Sequence, residues 1–198
     1  SIFHISGRRR VATTSRNDAA TMKNIEIKLR VESLAEKHRL ALKLGADRRA
    51  IYHDTDTYFR VPHGRLKLRV SKGETSGTLI QYERPNESAS RISNYSLVTV
   101  SDCAALCETL ATALGVLATV TKTRELLIYG ATRIHLDEVE ELGSFVELET
   151  VIDQQTMGDA QSEHELVFDA LKLDSEEIVP FSYSDLLLGA DSDERQRG

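Results

Sequence analysis

Hydrophobic and polar residues alternate strictly in several short stretches of this chain of 198 residues. Alternation with a period of two is typical of a β-strand whose two faces meet different surroundings. The clearest stretches are residues 24–31 (NIEIKLRV), 65–70, 132–137 and 145–150. Weaker patterns fit strands at residues 55–61, 78–84, 95–100 and 120–129. The chain is therefore predicted to form about eight strands.

Turns and helical periods separate these strands. Short turn sequences at residues 62–64, 130–131 and 141–144 indicate antiparallel neighbours. Helical periods occupy residues 33–44, 102–114 and 161–171, with N-caps expected at Ser33, at Ser101 or Asp102, and at Asp159. A last short helical turn is predicted at residues 184–188. We expect an α+β, mainly β fold: an eight-stranded antiparallel β-barrel with three to four flanking helices.

The polar faces of the strands carry charges that are segregated by sign. One strand offers Arg65, Lys67 and Arg69, whereas another offers Glu147 and Glu149. Like charges on one face repel each other, and an anion or a metal ion requires such clusters. The apolar partners would then face outward, onto the helices: Ile25, Ile27, Leu29, Leu66, Leu68, Ile134, Leu136, Val146 and Leu148. This is the reverse of an ordinary small barrel.

Together, the polar faces contain groups that bind phosphate and metal. Arg and Lys bind phosphoryl oxygens through charge-assisted bonds, and Mg²⁺ or Mn²⁺ prefers carboxylates with phosphate oxygens. The candidate cations are Lys28, Arg30, Arg65, Lys67, Arg69, Lys122, Arg124 and Arg133, and the candidate carboxylates are Glu26, Asp137, Glu147 and Glu149. We predict a polyphosphate site with metal ligands in the barrel. The alternative for any one strand is a solvent-exposed charged face, but it must explain four such strands.

Charge and hydropathy narrow the range of partners. The net charge is −6, and the four Arg and one Asp of residues 1–21 contribute +3, which leaves −9 for residues 22–198. Nucleic-acid binders usually present a net basic face, so no duplex nucleic acid is expected as a partner. No apolar run approaches the roughly 18 residues of a membrane-spanning helix, so no membrane partner is expected either.

Domain boundaries and compartment follow from the ends of the chain and its cysteines. Residues 1–21 are interpreted as a disordered leader or an over-extended start before Met22, and we favour the second over a mitochondrial presequence. The domain is expected at residues 22–189 and a disordered tail at residues 190–198. Cys103 and Cys107, four apart in a helical period, are expected to be buried thiols of a reduced cytoplasmic protein. A mitochondrial location follows only if the leader is genuine.

An ordered set of motifs resembles the CYTH domain of the triphosphate tunnel metalloenzymes. They are NIEIKLR at residues 24–30, DTYF at 56–59, RLKLR at 65–69, KTR at 122–124, LDEVEELGSFVELE at 136–149 and SYSDLL at 182–187. The resemblance covers nearly all of residues 22–188. It implies an eight-stranded antiparallel tunnel, dependence on Mg²⁺ or Mn²⁺, and a substrate that bears a triphosphate.

The resemblance also implies roles for individual residues at matching positions. Metal would be held by Glu26, Asp137, Glu147 and Glu149. Phosphates would be held by Lys28, Lys67, Arg69, Lys122 and Arg124. Three further arginines, Arg30, Arg65 and Arg133, lie on the same strand faces and are compatible with phosphate binding. Glu26 and Lys28 would take part in catalysis. Tyr58 is interpreted equally as a substrate contact or as packing. The SYSDLL residues Tyr183 and Asp185 are expected to dock the chain end.

Two positions depart from the family pattern. Asn24 stands where the first Glu is expected, which removes one negative metal ligand. Glu83 stands where the family often has Lys, so Arg84 would bind substrate only if the strand register shifts. His135 shares strand parity with Asp137, and we interpret it as a hydrogen-bonded filler in preference to a general base or a metal ligand.

The expected function is that of a metal-dependent phosphohydrolase acting on a small triphosphate, such as tripolyphosphate, thiamine triphosphate or ATP. One alternative is a class IV-type adenylate cyclase that makes cyclic AMP from ATP. Another is a non-catalytic module that binds polyphosphate or nucleotide, which Asn24 motivates. The sequence leaves a homodimer open, since two-fold dimers are the commonest assemblies.

Overall fold

A computed structural model describes residues 22–83, 91–152 and 155–195 of the chain. All eight predicted strands are present: β1 (Met22–Arg30), β2 (Asp47–Phe59), β3 (Arg65–Ser71), β4 (Gly77–Glu83), β5 (Arg91–Val100), β6 (Val116–Tyr129), β7 (Thr132–Val139) and β8 (Gly143–Val151). The helices are α1 (Leu34–Leu44), α2 (Cys103–Leu114), α3 (Met157–Ala170) and α4 (Tyr183–Arg195), and a short 3₁₀ helix spans Ser175–Glu177.

The eight strands close into one antiparallel barrel. Their order around the barrel is β1, β5, β4, β3, β2, β6, β7 and β8, and β8 pairs again with β1. Strands β2 through β5 and β6 through β8 are successive neighbours, whereas β1 lies between β5 and β8, far from both in sequence. The predicted barrel is confirmed, and each of the eight described strands pairs with a neighbour on both sides.

The apolar side of the strands faces outward and packs against the helices. Residues of β1, β7 and β8 form a core with Ala41 of α1 and Val167 of α3. On the opposite side, Phe59 and Leu68 pack with Cys103 of α2. Burying each large side chain of this kind contributes about 2 kcal/mol. Because the helices cover the apolar faces of the strands from outside, the inward faces of the strands can carry polar side chains.

The N-cap side chains determine where the helices begin. The Ser33 hydroxyl accepts a hydrogen bond from the backbone N–H of Glu36 at 3.2 Å, and Asp102 caps α2 in the same way, both as predicted. The expected cap at Asp159 is wrong: α3 begins at Met157, because the Thr156 hydroxyl accepts from the backbone N–H of Asp159 at 3.1 Å. Asp159 instead lies in the first turn, where a carboxylate favours the helix dipole.

Other boundaries also differ from those expected. Strand β2 begins at Asp47 because it pairs with β6 along its whole length, and α4 is much longer than the predicted turn. Both cysteines are free; Cys103 is buried and Cys107 is half-buried. Residues 1–21 lie outside the described residues, and the division into leader, domain and tail stays a prediction. Within the described part of the chain, no helix is both long and apolar enough to cross a membrane.

The start of α4 closes one end of the barrel. Tyr183 packs edge-to-face on Phe145 of β8, with ring centroids 5.1 Å apart at 64°. Tyr58, Val120 and Val139 complete this buried cluster. Aromatic pairs of this geometry prefer such edge contacts. This apolar plug, formed by Tyr58, Val120, Val139, Phe145 and Tyr183, fills that end of the interior.

Candidate functional site

The barrel encloses a cavity of about 340 Å³. Most of the predicted site residues line it: Glu26, Lys28, Tyr58, Lys67, Arg69, Lys122, Arg124, Arg133, Glu147 and Glu149. They alternate along their strands with outward-facing residues, so the period of two directs them all into one space. The cavity therefore brings cations and carboxylates from different strands together.

A buried carboxylate that our sequence analysis missed holds three of these cations. Asp56 of β2 is completely buried. Its Oδ2 accepts from the amines of Lys67 and Lys122 at 2.9 and 3.0 Å. Arg69 donates through Nε and a terminal nitrogen at 2.7 and 2.8 Å. Asp56 belongs to the DTYF motif and shares strand parity with Tyr58, so its inward direction was readable from the sequence.

These contacts determine the charge states of the cluster. Burial raises the pKa of Asp56, but the positive charges of Arg69, Lys122 and Lys67 outweigh it and hold that pKa well below its usual range. Burial, together with the nearby Arg69, lowers the pKa of Lys122 to about 7, although Asp56 opposes the shift. Lys122 is therefore close to losing its charge at neutral pH, and a bound anion would favour the charged form.

Arg124 lies at the junction of the basic and acidic sides. It donates to both oxygens of Asp137 at 2.6 and 2.5 Å and to Glu147 at 2.5 Å. The Tyr183 hydroxyl donates to Asp137 at 2.8 Å. Burial raises the pKa of Asp137, and Arg124 lowers it by more, so that the carboxylate is ionised. Asp137, predicted as a metal ligand, is fully buried and does not line the cavity; its contacts orient Arg124.

The acidic side combines β1, β7 and β8. Glu26 lies directly opposite Glu149 in the strand register. Glu149 is 3.4 Å from Nε2 of His135 and 3.6 Å from Arg133. Burial raises the pKa of Glu149, but His135 and Arg124 together outweigh this effect and bring the pKa to about 2. The other ring nitrogen of His135, Nδ1, is buried without a hydrogen-bond partner among the described residues, and the role of His135 stays a prediction.

Lys28 is placed by the plug at the end of the barrel. Its amine lies 3.9 Å from the centroid of the Tyr183 ring and 3.4 Å from the carbonyl oxygen of Phe181. Glu147 is 4.0 Å away. A cation over an aromatic face is attracted to the ring electrons, and the attraction is stronger away from water. Tyr183, expected only to dock the chain end, also lines the cavity.

Two predicted phosphate-binding residues, Arg30 and Arg65, do not line the cavity. Arg30 is exposed and donates to the carbonyl oxygen of Leu142 at 2.6 Å. Arg65 forms an ion pair with Asp185 at 2.7 Å, which ties β3 to α4. Both have inward parity, but they lie at strand ends, beyond the space enclosed by the barrel. Arg84 lies outside the described residues, so its role stays a prediction.

Uncharged side chains form part of the cavity wall. Strands β4 and β5 contribute Ile80, Tyr82, Tyr95 and Leu97, and Leu126 of β6 lies across the barrel from β5. Leu97 is 43% exposed although it faces inward, which indicates that the cavity is accessible from this side. An apolar or aromatic part of a ligand would find contacts here that phosphate oxygens would not.

The donor groups fit a hard divalent cation. Glu26, Glu147 and Glu149 supply carboxylates, and the side-chain oxygen of Asn24 is buried without a hydrogen-bond partner among the described residues. A buried oxygen of this kind is costly unless something coordinates it. Among the described residues, no three His, Cys, Asp or Glu side chains are already grouped closely enough to hold a metal ion, and this includes the cavity carboxylates. Glu147 is paired with Arg124 in this arrangement.

Comparison with solved structures identifies the same architecture. PH1012 from Pyrococcus horikoshii OT3 is 24% identical with a TM-score of 0.73, covering 82% of this chain and 98% of that one. A Vibrio parahaemolyticus protein proposed to be an adenylate cyclase is 17% identical with a TM-score of 0.64, over 83% and 97%. HpAC1 from Hippeastrum, which has a dominant triphosphatase activity, is 16% identical with a TM-score of 0.55, over 76% and 88%. These similarities establish the fold.

The sequence itself supplies the family assignment. No curated protein matches the chain. Residues 22–183, which include all eight strands and the first residue of α4, match the CYTH domain. The motifs that carried the resemblance lie on the strands that line the cavity and at the start of α4. The chain belongs to the CYTH domain family.

Proposed function

We propose that this protein is a metal-dependent phosphohydrolase that acts on a small triphosphate bound in the barrel. The observation that carries the proposal is the segregation of charge within one enclosed cavity. Lys67, Arg69 and Lys122 form a cationic wall, and Glu26 and Glu149 lie on strands across from it. Phosphoryl transfer requires charge neutralisation and positioning more than covalent chemistry from the protein.

The charge balance of the site supports a need for metal. Among the described side chains, six cations line the cavity: Lys28, Lys67, Arg69, Lys122, Arg124 and Arg133. Five described carboxylates line or directly back it: Glu26, Asp56, Asp137, Glu147 and Glu149. The excess over these described groups is a single positive charge, whereas a triphosphate carries several negative charges. A divalent cation bound with the substrate would supply further positive charge.

The chain's own residues have distinct tasks in this proposal. Lys67, Arg69 and Lys122 bind phosphoryl oxygens, while Asp137 holds Arg124 in the orientation that donates toward Glu147. Mg²⁺ or Mn²⁺ would be held by Glu26, Glu147 and Glu149 with the Asn24 oxygen. When bound, the metal neutralises phosphate charge and makes water a better nucleophile. The barrel wall excludes bulk water, which strengthens these electrostatic interactions.

A second candidate is a class IV-type adenylate cyclase, and the part of the cavity wall formed by Ile80, Tyr82, Tyr95 and Leu97 favours it. Both reactions use the same phosphate and metal groups, but only cyclisation requires an organic triphosphate. The wall also supports ATP or thiamine triphosphate as hydrolysis substrates. A non-catalytic polyphosphate-binding module remains the third candidate, because Asn24 weakens the acidic side.

The deciding experiment incubates the full chain with tripolyphosphate, thiamine triphosphate or ATP, with Mg²⁺, Mn²⁺ or excess EDTA. Phosphate release and cyclic AMP are both measured. We expect metal-dependent phosphate release and no cyclic AMP. Cyclic AMP as the main product would select the cyclase, and calorimetric binding without either product would select the binding module. If no triphosphate binds or reacts under any condition, the proposed function is wrong.

Asn24→Glu should raise the affinity for Mn²⁺ by roughly tenfold, equivalent to about 1.4 kcal/mol. The change replaces a neutral oxygen donor with a carboxylate, which hard dications prefer. Titration of the substrate-free protein with Mn²⁺, followed by electron paramagnetic resonance, measures it. Gln161→Glu, which adds the same charge on α3, is the matched control and should change nothing. Equal affinities in the two variants would remove Asn24 from the metal site.

A further inference from the structure

Asp56 lies behind the phosphate-binding cations and does not itself line the cavity. It is 0% exposed, whereas Lys67, Arg69 and Lys122 all have side chains at the cavity surface. Any effect of Asp56 on a ligand must therefore pass through these three side chains. It is in this respect unlike Glu26 and Glu149, which face the cavity directly.

The three cations would not stay together without this carboxylate. Like charges repel, and burial disfavours each charged form. Asp56 accepts a hydrogen bond from each of them, from 2.7 to 3.0 Å, and Arg69 engages both of its oxygens. The contacts join β2, β3 and β6, so one side chain fixes cations from two neighbouring strands.

We propose that Asp56 is a positioning residue that assembles Lys67, Arg69 and Lys122 into one phosphate-binding cradle and favours the charged form of Lys122, so that polyphosphate binding extends to higher pH than it would without this carboxylate. The inference rests on the proposed function, because it assumes that the cradle binds phosphate. It adds a residue that touches no phosphate and yet determines the pH range of binding.

The surroundings of Lys122 explain the pH dependence. Several charged or titratable groups face it: Asp54, directly opposite in the strand register, and Asp56 from β2, Lys67 and Arg69 from β3, Arg124 from its own strand, Asp137 from β7 and Tyr183 from α4. Of the carboxylates, Asp56 makes the direct contact, at 3.0 Å. With Asp56 present the pKa of Lys122 is about 7; without it, burial and the neighbouring cations act against a smaller opposing charge and lower that pKa further.

The test measures tripolyphosphate binding by calorimetry in saturating Mg²⁺ at pH 6, 7 and 8. Asp56→Asn keeps the shape and removes the charge. Asp54→Asn is the matched control, because Asp54 lies on the same strand with the same parity but is 3.7 Å from Arg69. We expect Asp56→Asn to weaken binding by about tenfold or more at pH 8 and by a smaller factor at pH 6, where Lys122 regains its proton. Asp54→Asn should stay within about twofold of the wild type throughout.

Two further variants separate positioning from a general loss of structure. In a Lys122→Met background, Asp56→Asn should lose most of its pH-dependent effect, because the group whose charged form it favours is gone. If Asp56→Asn does not fold, Lys122→Arg decides the question. Arginine stays charged, so the loss of affinity that we expect of the wild type between pH 7 and 9 should be absent from this variant.

The inference is overturned if Asp56→Asn binds as tightly as Asp54→Asn, binds more tightly than the wild type, or weakens binding equally at every pH. It is also overturned if Lys122→Arg loses affinity with pH as the wild type does. These outcomes leave the proposed function intact, since the wild type still binds. A wild-type protein that binds no tripolyphosphate at any pH instead removes both proposals.

Discussion

Glu149→Gln is expected to reduce kcat/KM for phosphate release by about 100-fold, equivalent to ~2.7 kcal/mol of transition-state stabilisation. Glu149 lies directly opposite Glu26 across β1 and β8, so its carboxylate faces another like charge. Two opposed carboxylates are unfavourable unless a cation lies between or beside them. Glutamine keeps the size of the side chain but offers a weaker donor to a hard dication.

Metal binding provides a readout for this variant that does not depend on turnover. Mn²⁺ affinity should fall together with activity, while tripolyphosphate binding without metal should change less. Glu140→Gln is the matched control, since Glu140 is exposed on the turn between β7 and β8 and should leave both quantities unchanged. A Glu149→Gln protein with wild-type Mn²⁺ affinity and wild-type phosphate release would place the metal elsewhere.

Asp137→Asn is expected to lower the free energy of unfolding at pH 7 by about 3 kcal/mol, because it removes the charge that both donors of Arg124 engage inside the barrel. Arg124 would keep only Glu147 as a charged partner. The hydrogen bond from Tyr183 to Asp137 would also weaken. Urea denaturation measures the change, and Asp47→Asn, at an exposed ion pair, should alter stability by less than about 0.5 kcal/mol.

The pH dependence of this difference has a definite sign. The pKa of Asp137 is lower in the folded chain than in the unfolded chain, where an aspartate titrates near pH 3.9. Its stabilisation is therefore complete above the unfolded pKa and is lost as pH falls toward the folded pKa. The difference in the free energy of unfolding between wild type and Asp137→Asn should be constant from pH 8 to 5 and should become smaller below pH 4. A difference of the same size at pH 3 would contradict the assignment.

The inward placement of most candidate residues could be read from the sequence. Alternation predicted that Lys67 and Arg69 share a face while Leu66 and Leu68 occupy the other, and the structure confirms this division. The signal is strong because a strand with a polar and an apolar face has one stable orientation between a polar interior and covering helices. The metal and phosphate roles of these residues remain predictions that the experiments above address.

The alternation along a strand, however, could not predict which inward-facing residues line the cavity. Arg30 and Arg65 have the correct parity but lie at strand ends, where one binds a backbone carbonyl and the other pairs with Asp185. Asp137 also has the correct parity, yet Arg124 and Tyr183 enclose it completely. Depth within a barrel depends on the stagger between strands, and no single strand sequence contains that stagger.

The local sequence of this protein determined its strands, their two faces and most helix starts, because side-chain period and capping hydrogen bonds act over a few residues. Only the tertiary structure decided that β1 lies between β5 and β8, and that β2 pairs with β6. The same long-range pairing places Asp56 beneath Lys67, Arg69 and Lys122. These contacts join residues far apart in the chain, and their balance of attraction and burial exists only once the barrel has closed.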